Sequence, residues 1–207
     1  MGHPLSLAAL ALAAGCGFSK MQSHAVDGTA PGALNGTATG STVRGAIIGA
    51  AVGGVAGGVI GQQMDNQARE LSFEMPGATV QRVAEGITVI FPEGSLFDTD
   101  SDSLLLAARE DMRRFAASLA KYANTRTMIV SHTDSRGTSN HNADLSERRA
   151  LSTASFLAAE GVARTRIGTA GRGATEPVAT NDTEAGRRLN RRVEVAIYSS
   201  QSTSGGN

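Results

Sequence analysis

A carboxylate and a guanidinium lie on either side of a polar stretch that follows a predicted buried strand, Thr127 to Val130. Asp134 comes just after that strand, and Arg149 lies in a predicted helix that runs from about Ser139 to Glu160 and stops at Gly161. Asp134 can accept a hydrogen bond from an ammonium group, and Arg149 can hold a carboxylate through two parallel hydrogen bonds. Held at a fixed separation, such a pair suits a ligand that carries both a positive and a negative charge.

The spacing along this predicted helix places further side chains beside the arginine. Asn142, Leu145, Ser146 and Arg149 stand at offsets of 0, 3, 4 and 7, which a helix brings to one face. We therefore expect Asn142 and Arg149 to turn toward the same pocket and Leu145 to lie in the core. Asp144 and Arg148, four residues apart, are expected to form a surface ion pair.

Nothing in the sequence supports catalysis. The run from Ser131 to Asp134 contains the residue types of a catalytic triad, but neighbours on a strand point to alternate faces and cannot form a nucleophile and base relay. The 4 histidines show no HExxH motif and no pair at metal-binding spacing, and the single cysteine excludes a cysteine-based zinc site. The sequence predicts a protein that is not an enzyme and that needs no cofactor and no metal.

Strand and helix patterns alternate from residue 78 to residue 199, which predicts one globular domain. A hairpin is expected from two runs around Gly86, and a helix from apolar residues between Leu105 and Tyr122 that step by three and four. The expected strands are Thr79 to Val83, Ile87 to Phe91, Thr127 to Val130, a strand that starts at Ile167, and Arg192 to Ile197, which alternates as if one face were buried. Strands separated by helices of this length imply βαβ crossovers, with helices packed on a small mixed sheet.

The motifs of this domain resemble the OmpA C-terminal domain, a family of peptidoglycan-binding modules. The matching positions begin with Thr133-Asp134, Gly137, Asn142, Leu145-Ser146 and Arg149-Ala150, and they continue through Gly171-Arg172-Gly173 to Asn190-Arg191-Arg192-Val193-Glu194. The resemblance implies an α+β fold, an OmpA-like βαβαβ sandwich with a small mixed sheet and helices packed on one face, preceded by a glycine-zipper helical segment. The overall architecture resembles that of YiaD-type outer-membrane lipoproteins.

The same resemblance implies a ligand and the residues that bind it. The family's diaminopimelate-binding Asp and Arg fall on Asp134 and Arg149, so the expected ligand is the meso-diaminopimelate of the peptidoglycan stem peptide. Asn142 and Asp100 are expected to line the site; Asn is common in the family where this chain has Asp100. A structural ion pair between Asp134 and Arg149 is the alternative interpretation.

Thr133 and Arg192 are also assigned to the site. Thr133 and Gly137 are expected to shape the loop, since glycine permits a positive φ or the close approach of a ligand. Arg192 is included as a binding residue, although the family's arginine pair is partly structural.

The N-terminal residues are typical of an exported lipoprotein. An apolar run from Leu5 to Ala14 followed by Gly15 and Cys16 predicts a signal peptide over residues 1–15 and lipidation of Cys16, whose surroundings resemble the bacterial lipobox. Residues 16–42 are expected to form the lipidated terminus and a flexible linker, and residues 200–207 a disordered tail.

Glycines recur at every fourth position of the segment assigned to residues 43–64, at 45, 49, 53, 57 and 61. On a helix this spacing forms one stripe along which another helix can approach closely, as in a glycine zipper. One interpretation is a helix or hairpin that associates with the membrane or forms a homo-oligomer. The other is a flexible glycine-rich linker.

Charge and composition then limit the partners. The 19 basic and 19 acidic residues give a net charge of +0, so the sequence has no overall positive charge with which to bind nucleic acid. It also contains no DNA-binding motif. The predicted function is noncovalent peptidoglycan binding that tethers the outer membrane to the cell wall, from a lipid-anchored position on the periplasmic face of the outer membrane. The alternative is an oligomeric or pore-like membrane assembly driven by the glycine zipper, with the C-terminal domain as its wall anchor.

Overall fold

The computed structural model describes residues 58–83, 86–92 and 94–200, and it gives the following order of helices and strands. The order is α1 (Gly58–Glu74), β1 (Thr79–Val83), β2 (Gly86–Pro92), α2 (Leu106–Lys121), β3 (Thr125–His132), α3 (Ser139–Ala159), a 3₁₀ turn (Arg164–Arg166), β4 (Ile167–Gly173), α4 (Glu184–Asn190) and β5 (Arg192–Ser199). The predicted signal peptide, Cys16, the linker and most of the glycine-zipper segment lie outside the described residues.

The strands form one mixed sheet in the order β1-β2-β5-β3-β4. β3 and β4 are parallel and are joined through α3, whereas the other neighbouring pairs are antiparallel. The predicted hairpin and crossover are both present. The expected α+β fold, with its small mixed sheet, is confirmed.

One layer of helices covers one face of this sheet. The core joins side chains of the helices to the strand residues that point to that face, such as Val89 and Val195. Met112, Phe115 and Leu119 of α2 are fully buried, as the three-and-four spacing predicts, and the Phe115 ring meets that of Phe91 edge to face at 5.9 Å. Helices therefore pack on one face, as predicted.

The prediction that the last strand has one buried face is wrong. β5 lies between β2 and β3 in the middle of the sheet, and its residues from Arg192 to Tyr198 are all buried. On the face away from the helices, Ala196 and Tyr198 belong to a second apolar cluster with Met128 and Val130 of β3. Polar and apolar residues alternate along β5, but both sets are covered.

The helix α1 begins inside the predicted glycine-zipper segment and packs on the globular domain. Its residues Met64 and Leu71, and Met75 just after its end, are buried in the same core as the sheet. Two polar contacts reinforce this packing: Gln67 donates to Ser118 at 3.4 Å, and Lys121 pairs with Glu70 at 2.5 Å. The domain boundary predicted at residue 78 leaves out this helix.

Among the described residues, no helix is both long enough and apolar enough to cross a membrane.

The N-terminal half of α3 lies unusually close to β4. A Cβ atom on Gly171 would stand 2.3 Å from the backbone nitrogen of Glu147, and one on Gly173 would stand 3.1 Å from that of Ala143. Only glycine permits this contact at position 171, since real Cβ atoms do not approach a backbone atom so closely. The glycines of β4 therefore fix the height of α3 above the sheet, and with it the positions of Asn142 and Arg149.

Candidate functional site

A pocket of about 820 Å³ opens where β3 ends and β5 begins. Its walls come from the loops after β2 and β3, from the first turns of α3 and from α4. All six residues that the sequence assigns to the binding site line it: Asp100, Thr133, Asp134, Asn142, Arg149 and Arg192.

Asp134 lies at the end of β3, and only 6% of its side chain is exposed. One carboxylate oxygen, Oδ1, accepts the backbone N–H of Arg136 at 2.9 Å. The other, Oδ2, accepts Nε of Arg136 at 2.9 Å and a guanidinium nitrogen of Arg191. Burial raises the pKa of Asp134, but the bonds from Arg136 and then Arg191 outweigh burial and hold the pKa below its ordinary value of 3.8.

The loop after Asp134 is held by the helix that follows it. The side-chain amide of Asn142 donates to the carbonyl oxygens of Asp134 at 3.2 Å and Arg136 at 2.8 Å. Gly137 adopts a φ of 86°, in the left-handed region, as its assignment to the loop anticipates. Asn142 therefore faces the pocket and fixes the backbone that carries Asp134.

Thr133 also helps to hold the loop that carries Asp134. Its backbone N–H donates to the carbonyl of Gly173 at 2.9 Å, and its hydroxyl donates to the carbonyl of Asp134 at 3.0 Å. Thr133 thus joins the end of β3 to β4 and shapes the loop, as expected from the sequence.

Arg149 enters the pocket from α3, opposite the loop. Its guanidinium donates to the carbonyl of Ser101 at 2.7 Å and to that of Asp98 at 2.8 Å. Its Cζ atom lies 5.4 Å from the centre of the Phe97 ring, in cation–π range. These contacts set the direction in which the guanidinium points, so a ligand meets an oriented donor group.

Asp100 lies on the exposed rim of the pocket. Its φ is 56°, a left-handed conformation that Asn and Asp adopt more readily than other side chains. Its carboxylate lies 2.8 Å from Nε2 of His141, in the first turn of α3. An Asp tolerates this backbone conformation, and its carboxylate has a partner in His141.

Arg192 lines the pocket from a buried position, and its guanidinium is bonded to other groups of the protein. It is buried, its Nε donates to Glu194 at 2.6 Å, and its other nitrogens reach the carbonyls of Asn190 and Glu176, each at 3.2 Å. Arg191, the preceding residue, makes the contact with Asp134 instead.

Sequence reasoning missed Arg136, Arg191 and Glu184. Glu184 begins α4 and pairs with Arg191 at 2.5 Å, which lowers the pKa of its carboxyl. The motif from Asn190 to Glu194 contains Arg191, but neighbouring residues on extended backbone point to opposite sides, and the sequence alone did not indicate which side faces the pocket. The position of α4 determines that Arg191 faces the pocket.

The predicted surface pair on α3 is confirmed. Arg148 contacts the carboxylate of Asp144 one turn earlier and also pairs with Asp102 at 2.8 Å. All three side chains are exposed, and such pairs contribute little to stability.

His132, the last residue of β3, is buried beneath the pocket. Neither ring nitrogen has a hydrogen-bond partner among the described residues, and the Glu194 carboxylate lies 3.9 Å from Nε2. Burial, and after it the positive charges of Arg192 and Arg172, lower the pKa of His132 from 6.5 to about 3. His132 is therefore neutral in the folded protein at neutral pH.

This histidine should make stability fall as the solution becomes more acidic. Its folded-state pKa of about 3 lies below the ordinary 6.5, so between those values the unfolded chain takes up a proton that the folded protein does not. Between about pH 7 and pH 5 this uptake costs about 2 kcal/mol. Urea unfolding at both pH values should show that His132→Gln loses about 2 kcal/mol less than the wild type. Equal losses in the two proteins would contradict the assignment.

Two family models match this chain. One, described as the OmpA family, matches residues 96–191, which contain every described residue of the pocket except Pro92, Gly94, Arg192 and Val193. The other, described as a glycine zipper, matches residues 25–68 and so extends into α1.

Lipoproteins and a cell wall anchor from several bacteria are similar to this chain. The probable lipoprotein YiaD of Escherichia coli is 36% identical over 136 residues, which is 65% of this chain and 62% of that protein. The peptidoglycan-associated lipoprotein of Agrobacterium fabrum is 35% identical over 136 residues, 66% of this chain and 77% of that one. Among solved structures, the cell wall anchor of the T6SS from Pseudomonas aeruginosa is 30% identical, with a TM-score of 0.59 over 64% of this chain and 96% of that one.

Proposed function

Because the chain belongs to the OmpA family, we propose that it binds peptidoglycan without catalysis, through the meso-diaminopimelate of the stem peptide. The observation that carries the proposal is the shared pocket of Asp134 and Arg149, which presents a carboxylate and an oriented guanidinium to one ligand. The free end of diaminopimelate carries an ammonium and a carboxylate on one carbon, so each of its charges meets the opposite charge.

The surroundings of the two residues suit these roles. The pKa of Asp134 lies below its ordinary value, so the carboxylate is charged at neutral pH and can accept a hydrogen bond from an ammonium. The Arg149 guanidinium, which the carbonyls of Ser101 and Asp98 orient, is the group that would bind the carboxylate. Both interactions are charge-assisted, and the second can be bidentate.

The relatives support wall anchoring as the role of the pocket. One is named a peptidoglycan-associated lipoprotein and another a cell wall anchor, and neither name refers to a reaction. In this proposal the chain holds the wall noncovalently. A lattice with many stem peptides then yields avidity from a modest affinity at each site.

The other end of the proposed tether is the outer membrane. Acyl chains on Cys16 would hold the N-terminus in the membrane, since more than one chain gives stable anchoring. The residue after Cys16 is Gly17, whereas an Asp at that position would resemble an inner-membrane retention signal, so Gly17 favours the outer membrane. The lipoprotein names of two relatives support this arrangement. The linker of residues 16–42 would then separate the membrane from the parts that follow.

Substitution of either charged residue should weaken wall binding. With purified sacculi, Asp134→Asn and Arg149→Gln in the full chain should each weaken co-sedimentation roughly 10- to 100-fold, because each removes one charge-assisted hydrogen-bonding partner. Asp144→Asn is the matched control, since it removes a carboxylate that is exposed on α3 and pairs with the surface residue Arg148. Circular dichroism would confirm that the variants are folded. Retained co-sedimentation of a folded Asp134 variant would refute the site.

The glycine-zipper match favours a second candidate, a homo-oligomeric membrane assembly that uses the C-terminal domain as its wall anchor. In that assembly the glycine stripe would let helices from several copies pack closely. This function uses a different part of the chain from the pocket, so the two candidates are separable by mutation.

A leucine on the glycine stripe should prevent that assembly. Gly53→Leu is expected to reduce the oligomer to a monomer in detergent, as measured by analytical ultracentrifugation, because the larger side chain keeps the helices apart. Val55→Leu, off the stripe, is the control and should leave the size unchanged. An oligomer that Gly53→Leu does not alter would contradict the assembly, whereas sacculus binding should be the same in both variants.

A further inference from the structure

We propose that Arg136 is an intramolecular competitor of the ligand, because its guanidinium holds the place on Asp134 that the ligand's ammonium would take. This inference rests on the proposed function, and it adds the residue that limits the affinity of the site. Without ligand, the side chain of Arg136 then occupies the ligand's position on Asp134, and binding exchanges one cation on Asp134 for another.

The carboxylate of Asp134 has little room for an additional cation. Oδ2 accepts both Arg136 and Arg191, which uses the two lone pairs of a carboxylate oxygen. Oδ1 accepts the backbone N–H of Arg136, so part of its capacity is used by the loop itself. An ammonium that binds Oδ2 therefore has to replace one of the two arginines.

Arg136 is the arginine that can leave. Its side chain is 59% exposed, so its departure exposes it to water at little cost, as for other exposed ion pairs. Arg191 is only 13% exposed and is held on its other side by Glu184 at 2.5 Å. Moving Arg191 would break both pairs at once.

The loop itself does not need to move when Arg136 leaves. Asn142 holds the carbonyl oxygens of Asp134 and Arg136, and the side-chain oxygen of Asn181 accepts the backbone N–H of Ser135 at 3.2 Å. The departure is thus a rotation of one side chain on a fixed backbone.

A second partner already lies beside Arg136. Its guanidinium is 3.9 Å from Oε2 of Glu184, at the start of α4. The side chain can therefore turn from one carboxylate to another without losing all of its electrostatic stabilisation. In this proposal, a ligand's ammonium on Asp134 would shift Arg136 toward Glu184, which also accepts hydrogen bonds from Arg187 and Arg191.

A competitor of this kind lowers the apparent affinity by the fraction of molecules in which the site is open. If Arg136 is a competitor, removal of its guanidinium should tighten binding. If Arg136, which lines the pocket, instead contacts the ligand, the same removal should weaken binding. The direction of the change separates the two roles. For an exposed pair of ordinary strength, the expected gain in affinity is about three- to tenfold.

Calorimetric titration of the full chain with a meso-diaminopimelate-containing stem peptide tests this inference. Arg136→Gln should bind the peptide about three- to tenfold more tightly than the wild type. Arg114→Gln is the matched control, because it removes the same charge from an exposed side chain of α2 that pairs with Glu110 and Asp111, each at 3.7 Å, and does not line the pocket. The control should change the affinity less than about twofold. In an Asp134→Asn background, Arg136→Gln should bring no gain.

Each result decides one question. If the wild type binds, Asp134→Asn does not, and Arg136→Gln binds no more tightly than the wild type, the competitor role is overturned and the proposed function stands. If the wild type and Arg136→Gln both fail to bind peptide and sacculi, the proposed function is overturned, and the competitor role with it. An equal gain in Arg136→Gln and Arg114→Gln would assign the effect to net charge and overturn the specific role of Arg136.

Discussion

The nearly buried carboxylate of Asp134 imposes the arrangement of the pocket. A charge removed from water remains ionised only if hydrogen bonds and opposite charges replace its hydration. Arg191 and Arg136 supply those charges, the turn of the loop supplies a backbone N–H, and Glu184 holds Arg191 in place. The loop and Arg191 are thus already in place around the anion, and in our proposal only the exposed side chain of Arg136 has to leave it when a cationic ligand binds.

The same pocket requires α3 and β4 to be in close contact. Gly171 lets the backbone of α3 rest almost on the strand, and this contact determines how far the helix projects its side chains over the end of β3. Asn142 then reaches the loop that carries Asp134, while Arg149 reaches the carbonyls of Asp98 and Ser101. A larger residue at position 171 would displace the helix and with it both halves of the site.

Periodicity and motif spacing predicted much of this structure. The three-and-four pattern of α2, the hairpin and the crossover through α3 all follow from local spacing, and six residues assigned to the site do line one pocket. Long-range packing accounts for what was missed. The burial of both faces of β5 depends on its central place in the sheet, the docking of α1 depends on a core formed by later residues, and the contact of Arg191 with Asp134 depends on where α4 ends.

We propose that the pocket recognises the paired charges of meso-diaminopimelate. The most direct test is titration of the full chain with a stem peptide that contains meso-diaminopimelate and with one that contains lysine, which has the ammonium without the carboxylate. We expect saturable amide NMR shifts from Thr133 to Arg149 with the first peptide, and binding roughly 10- to 100-fold weaker with the second. Equal binding of both peptides, or no shifts with either, would contradict this account of the site.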